Sequence, residues 1–96
     1  MKIAVASIED DIAVEIAQQA GRAPFYLIFE NGKLVETMKN PFSVGGGGAG
    51  HGVAKMLADK SINKVIAGKF GDKMIVALQG RGVDFEEKEG KIQEIV

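Results

Sequence analysis

Asn31-Gly32 stands between two stretches of strand character, Phe25-Tyr26-Leu27-Ile28-Phe29 and Lys33 to Lys39, and no other feature limits the fold as tightly. The pair supplies the two positive-φ positions of a type I′ turn, the connection whose twist matches that of two antiparallel strands. Aromatic and β-branched side chains suit the first run to a pleated, buried surface. Pro24 opens the unit and Asn40-Pro41 closes it, because proline has no N–H for a ladder and biases the preceding residue away from helix. An antiparallel hairpin over residues 25–39 is predicted.

Other elements follow from periodicity. Ile3 to Ile8 is a nearly continuous apolar run and reads as a central strand buried on both faces. Asp11 to Ala20 carries Ile12, Ile16 and Ala20 at helical spacing, with acids in the first turn, and predicts a short helix. From Gly50 onward Val53, Ala54, Leu57 and Ser61 share one face of an amphipathic helix. Val65-Ile66-Ala67 is a short buried strand, and Gly68 to Gly71 a turn in which Asp72 is placed to cap a helix with Met74, Ile75 and Leu78 inward. Gly80 and Gly82 end that helix. Val83-Asp84-Phe85 then gives a last strand, and Ile92, Ile95 and Val96 a closing helical turn. The order implies an α/β fold with a mixed, mostly parallel sheet, one antiparallel hairpin strand and helices on both faces.

A chain of 96 residues has room for one hydrophobic core, so residues 1–96 are read as a single domain. So small a core leaves a thin stability margin, which makes a homodimer a plausible partner arrangement. Twelve basic against thirteen acidic residues leave a net charge of −1 and no electrostatic reason to expect nucleic acid or a membrane surface as a partner. With no cysteine, the chain by itself supplies neither a disulfide nor thiolate ligands for zinc or an iron–sulfur cluster. The amino-terminal apolar run is too short for a signal sequence and nothing approaches a membrane span, so a cytoplasmic location is expected.

The most biased segment is Gly45-Gly46-Gly47-Gly48-Ala49-Gly50-His51-Gly52. Nearly free of side chains and running into a helix, it lets backbone N–H groups of Gly47, Gly48 and Gly50 approach an anionic ligand. Gly45, Gly47 and Gly50 formally satisfy the dinucleotide pattern G-x-G-x-x-G, yet they do not follow the first strand; the lysine of a phosphate-binding P-loop is absent. His51, the only histidine, projects away from the face of Val53, Ala54 and Leu57, which leaves its imidazole available as a metal ligand or hydrogen-bond donor. Gly21-Arg22 places a guanidinium suited to carboxylate or phosphate. Gly68-Lys69-Phe70-Gly71-Asp72 is a second strand-to-helix turn that either helps line a pocket or is simply a tight connection with an N-cap, and the latter reading leads. No nucleophile elbow, cysteine nucleophile or spaced carboxylate pair supports catalysis, and a non-enzymatic role is expected.

Lys2-Ile3-Ala4-Val5-Ala6, Gly21-Arg22-Ala23-Pro24-Phe25, the Gly45 to Gly52 stretch, and Val65-Ile66-Ala67-Gly68 before Gly71 occur in the order found in one family. In these segments the chain resembles the nitrogenase iron–molybdenum cofactor biosynthesis domains, as a small stand-alone member. The resemblance implies a ribonuclease H-like three-layer α/β/α fold with a mixed five-stranded sheet. It further implies binding or carriage of the iron–molybdenum cofactor or an iron–sulfur cluster precursor, held transiently, rather than chemistry on a substrate. At the family's His-Phe-Gly-Arg motif this chain has Gln19-Ala20-Gly21-Arg22, so Gly21 and Arg22 carry over and His51 is the imidazole left to ligate a metal. Independently of the resemblance, the glycine-rich stretch is consistent with a binding module for a small anionic metabolite unrelated to nitrogen fixation.

Overall fold

The computed structural model describes residues 1–44 and 49–96. Its centre is β1 (Lys2–Ser7), in which Ala4, Val5 and Ala6 are fully buried because successive side chains enter cores on opposite faces. The hairpin follows as β2 (Phe25–Glu30) and β3 (Lys33–Lys39), joined by Asn31 at φ 52° and Gly32 at φ 80°, both in the region a type I′ turn demands. Its register slips between Ile28↔Glu36 and Phe29↔Leu34, leaving Val35 as the extra residue of a bulge. The remaining elements are α1 (Ala49–Asp59), β4 (Lys64–Ala67), α2 (Asp72–Gly80) and β5 (Asp84–Glu87), with short 3₁₀ turns at Ala20–Arg22 and Ile92–Glu94.

These strands form one five-stranded sheet in the order β3-β2-β1-β4-β5. β1 pairs antiparallel with β2 and parallel with β4, β2 pairs antiparallel with β3, and β4 pairs parallel with β5. Only β2 runs against the others, as expected of a mostly parallel sheet with one hairpin strand. One face buries Ala4, Ala6, Tyr26, Ile28, Val65 and Ala67 beneath Val53, Ala54 and Leu57 of α1 and Met74 and Leu78 of α2. The other buries Val5, Leu27, Phe29 and Ile66 beneath Ile16 and Ile92. Both α-helices therefore cover the same face, which corrects the expected three layers with helices on both: the opposite layer is built from the irregular segment after β1 and the Ile92–Glu94 turn, because that segment pairs with β1 and the last residues instead of coiling.

That segment corrects the helix expected over Asp11 to Ala20. Ala17 N–H bonds Ala6 O, Ile16 N–H bonds Gly90 O, and single bridges join Ser7 to Ile16 and Gln19 to Lys69. Asp11 Oδ1 accepts from Ala13 N at 2.8 Å, a local turn that competes with helix at the point where one would start. Pairing with β1 and the chain's end gives the backbone partners and buries Ile16, whereas a short helix with a thin apolar stripe is marginal by itself.

Two smaller expectations change. Ser61 ends α1 instead of extending its inner face: it adopts φ 61° while its N–H bonds Ala58 O and Ile62 N–H bonds Leu57 O, the paired bonds of a Schellman termination. Asp72 is the first residue of α2 and Gly71 occupies the cap position. Among the described residues no helix is long and apolar enough to cross a membrane.

Candidate functional site

Because β1, β3 and β4 share a direction, their carboxyl ends meet along one edge of the sheet, and α1 and α2 both begin there. In open α/β sheets the crevice outside the carboxyl ends of the strands is where ligands are received. Here it is a cleft of about 500 Å³ between the Ala20–Arg22 turn, the first turn of α1 and the connection from β4 into α2. Gln19, Gly21 and Arg22 line one wall, Ala49 and Gly50 the back, and Lys69, Phe70, Gly71, Lys73 and Met74 the other.

The walls are held by backbone pairing across the cleft. Ala20 N–H donates to Lys69 O at 3.0 Å and Gly68 N–H to Ala17 O at 2.9 Å. A Cβ on Gly68 would lie 2.8 Å from Gln18 Cα, so only glycine lets these two segments approach so closely. Asn40, buried at 4% exposure, donates from Nδ2 to Gly21 O and Ala23 O at 3.1 and 2.8 Å and accepts from Phe42 N at 2.9 Å. Beneath the turn, the Tyr26 hydroxyl donates to Ala20 O, and burial pushes its ionisation well above the usual phenol range, so it remains a neutral donor.

The charged side chains that line the cleft have one sign. Arg22, Lys69 and Lys73 contribute cationic groups, and no carboxylate is among the lining residues. Helices α1 and α2 aim the positive ends of their dipoles at it, and α2 has no side-chain cap bond from its N-cap residue. On a chain with net charge −1 this local concentration of positive potential favours an anion. Arg22 also donates from Nη1 to Phe42 O at 3.0 Å, tying the wall to the residues after β3.

Of the residues singled out in sequence, Gly21, Arg22 and Gly50 meet in this cleft. Gly47 and Gly48 lie outside the described residues. Gly50 serves packing more than ligand approach, since a Cβ there would fall 2.9 Å from Met74 Cβ, whereas Gly21 has room for one. His51 is exposed and lines an adjoining groove with Asp72, Lys73 and Val76. Among the described residues no three His, Cys, Asp or Glu side chains group to hold a metal ion. Lys69 and Phe70, in a turn read chiefly as a connection and secondarily as pocket lining, belong to the cleft, as do Gln19 and Lys73. The signal available for them was the position of their turn after a buried parallel strand.

A model of the dinitrogenase iron-molybdenum cofactor family matches residues 1–96. The chain belongs to that family. Membership implies involvement in iron–molybdenum cofactor biosynthesis and agrees with the resemblance carried by the short motifs. Among solved structures, the chain is similar to the apo form of the orange protein from Desulfovibrio gigas, with a TM-score of 0.89 and 24% identity over 97% of this chain and 81% of that one. It is also similar to a putative NifB protein from Thermotoga, assigned to the DUF35 family, with a TM-score of 0.80 and 23% identity over 97% of this chain and 81% of that one. At these identities the likeness establishes the shared fold. A comparison with curated proteins found no match.

Proposed function

We propose that this protein is a non-enzymatic carrier of an anionic metal cluster, the iron–molybdenum cofactor or an iron–sulfur precursor of it, and that the cluster sits in the cleft at the carboxyl edge of the sheet. The observation that carries this reading is the basic lining: Arg22, Lys69 and Lys73 around two helix N-termini, with no carboxylate facing the space. The family supplies the class of cargo. A chain without cysteine holds such a cargo by charge and hydrogen bonds more than by protein thiolates. His51 lies in a groove that shares Lys73 with the cleft and serves as the one imidazole able to reach a metal at its rim. Gly47 and Gly48 precede the cleft residue Ala49 in sequence and lie outside the described residues. In this reading residues 1–96 work as one cytoplasmic domain built on the mixed five-stranded sheet.

Anaerobic reconstitution with iron, sulfide and molybdate tests it. A visible absorption band that survives gel filtration and stays near stoichiometric with chain is expected, weakened in His51→Ala; a wild-type chain that emerges colourless contradicts the carrier reading, and an unchanged band in the variant removes His51 from it. The absence of a metal-holding group among the described residues favours a second reading, a module for a small anionic metabolite bound by the same cleft. Thermal stabilisation by phosphates or carboxylates in the presence of a chelator supports that alternative, since a ligand that binds only the native state raises the melting point by mass action.

A further inference from the structure

The connection from β4 into α2 carries Lys69 and Phe70 into the cleft and ends on the first-turn amides of α2, so whatever fixes it fixes the donors. Backbone bonds to Ala17 and Ala20 hold one side. On the other side a side chain intervenes: Glu87, the last residue of β5, accepts the Phe70 N–H on Oε2 at 3.0 Å. Parallel pairing sets Glu87 opposite Ala67, and Lys88 N–H bonds Ala67 O, so the carboxylate arrives at a defined height beside the turn. Phe70 itself is buried and its ring meets Phe85 at 5.1 Å between centroids.

From this geometry we infer that Glu87 is a positioning residue for the cleft: by taking the Phe70 amide it sets the turn so that Lys69 and the α2 amides face the ligand. The inference rests on the cleft being the binding site. Simple electrostatics gives Glu87 the opposite role, since a carboxylate beside a basic cleft lowers anion affinity and its removal raises it. The two effects therefore have opposite signs in the alanine variant, and they separate in the glutamine variant, which keeps the acceptor and discards the charge.

The test compares wild type, Glu87→Ala and Glu87→Gln by backbone amide exchange without cargo, with Ile28 in the central sheet as internal reference for global stability. Exchange at Phe70 is expected to quicken by about tenfold or more in Glu87→Ala, with Ile28 unchanged, and to return toward wild type in Glu87→Gln. Equal protection of Phe70 in all three proteins overturns the inference, as does a glutamine variant that behaves like alanine. Retention of the cluster reconstituted from iron, sulfide and molybdate is the second readout: a fall in Glu87→Ala despite the lost negative charge supports positioning, and a rise overturns it. If wild-type chain takes up no cluster, the carrier reading fails while the exchange pattern still decides whether Glu87 orders the turn.

Discussion

Asn40 holds three backbone groups with one buried amide: the carbonyls of Gly21 and Ala23 on the cleft wall and the N–H of Phe42 beyond β3. In sequence it reads only as the residue before Pro41 that ends a strand, because partners 17 and 19 positions away leave no local trace. Asn40→Ala strands those groups, and a loss of about 3 kcal/mol is expected, read as a lower urea midpoint at unchanged slope. Tyr26 poses the same problem, since its aromatic ring marks a strand while its bond to Ala20 O depends on the fold. Gly68 was legible as a turn glycine but not for its reason, which is the approach of Gln18. Gly68→Ala is expected to cost about 1–3 kcal/mol because backbone, not a flexible side-chain tip, stands in the way. Quickened exchange at the Ala20 amide, which bonds across to Lys69, would accompany it.

At the scale of elements, success in reading followed the strength of the local signal. The hairpin was legible because Asn31 and Gly32 supply the turn's backbone angles directly, and α1 and α2 because their apolar faces recur at helical spacing. The segment from Asp11 to Ala20 shows a weaker version of the same spacing, and tertiary pairing with β1 and the chain's end prevails over it. Ser61 shows how a helix end escapes a periodicity argument: it lies in register with Leu57 yet turns left-handed to release Ile62 into the core. A residue with a Cβ is disfavoured at that backbone angle, so Ser61→Gly is expected to stabilise the protein by about 0.5–1 kcal/mol and to raise its melting temperature. An unchanged or lower melting temperature would mean that the serine side chain contributes more than its backbone strain removes.

Across the whole molecule, the site is a product of topology. In sequence Gly21 and Arg22 stand nearly thirty positions from Gly50, and the sheet brings them to one edge. The strongest signal in sequence is the glycine-rich stretch that carries His51, yet His51 lines the adjoining groove, and the charges of Lys69 and Lys73 acquire meaning only once α1 and α2 point at the same space. A cargo held by that field is released by salt, as the Debye length shrinks toward a few ångströms. The most direct measurement is cluster retention after anaerobic reconstitution in the Lys69→Glu, Lys73→Glu double variant, two exposed positions whose exchange leaves the core untouched. A fall of about tenfold or more is expected, with the melting temperature of the empty protein no lower than wild type, since an acid in the first turn of α2 suits its dipole. Retention equal to wild type would contradict the basic cleft as the place where the cargo is held.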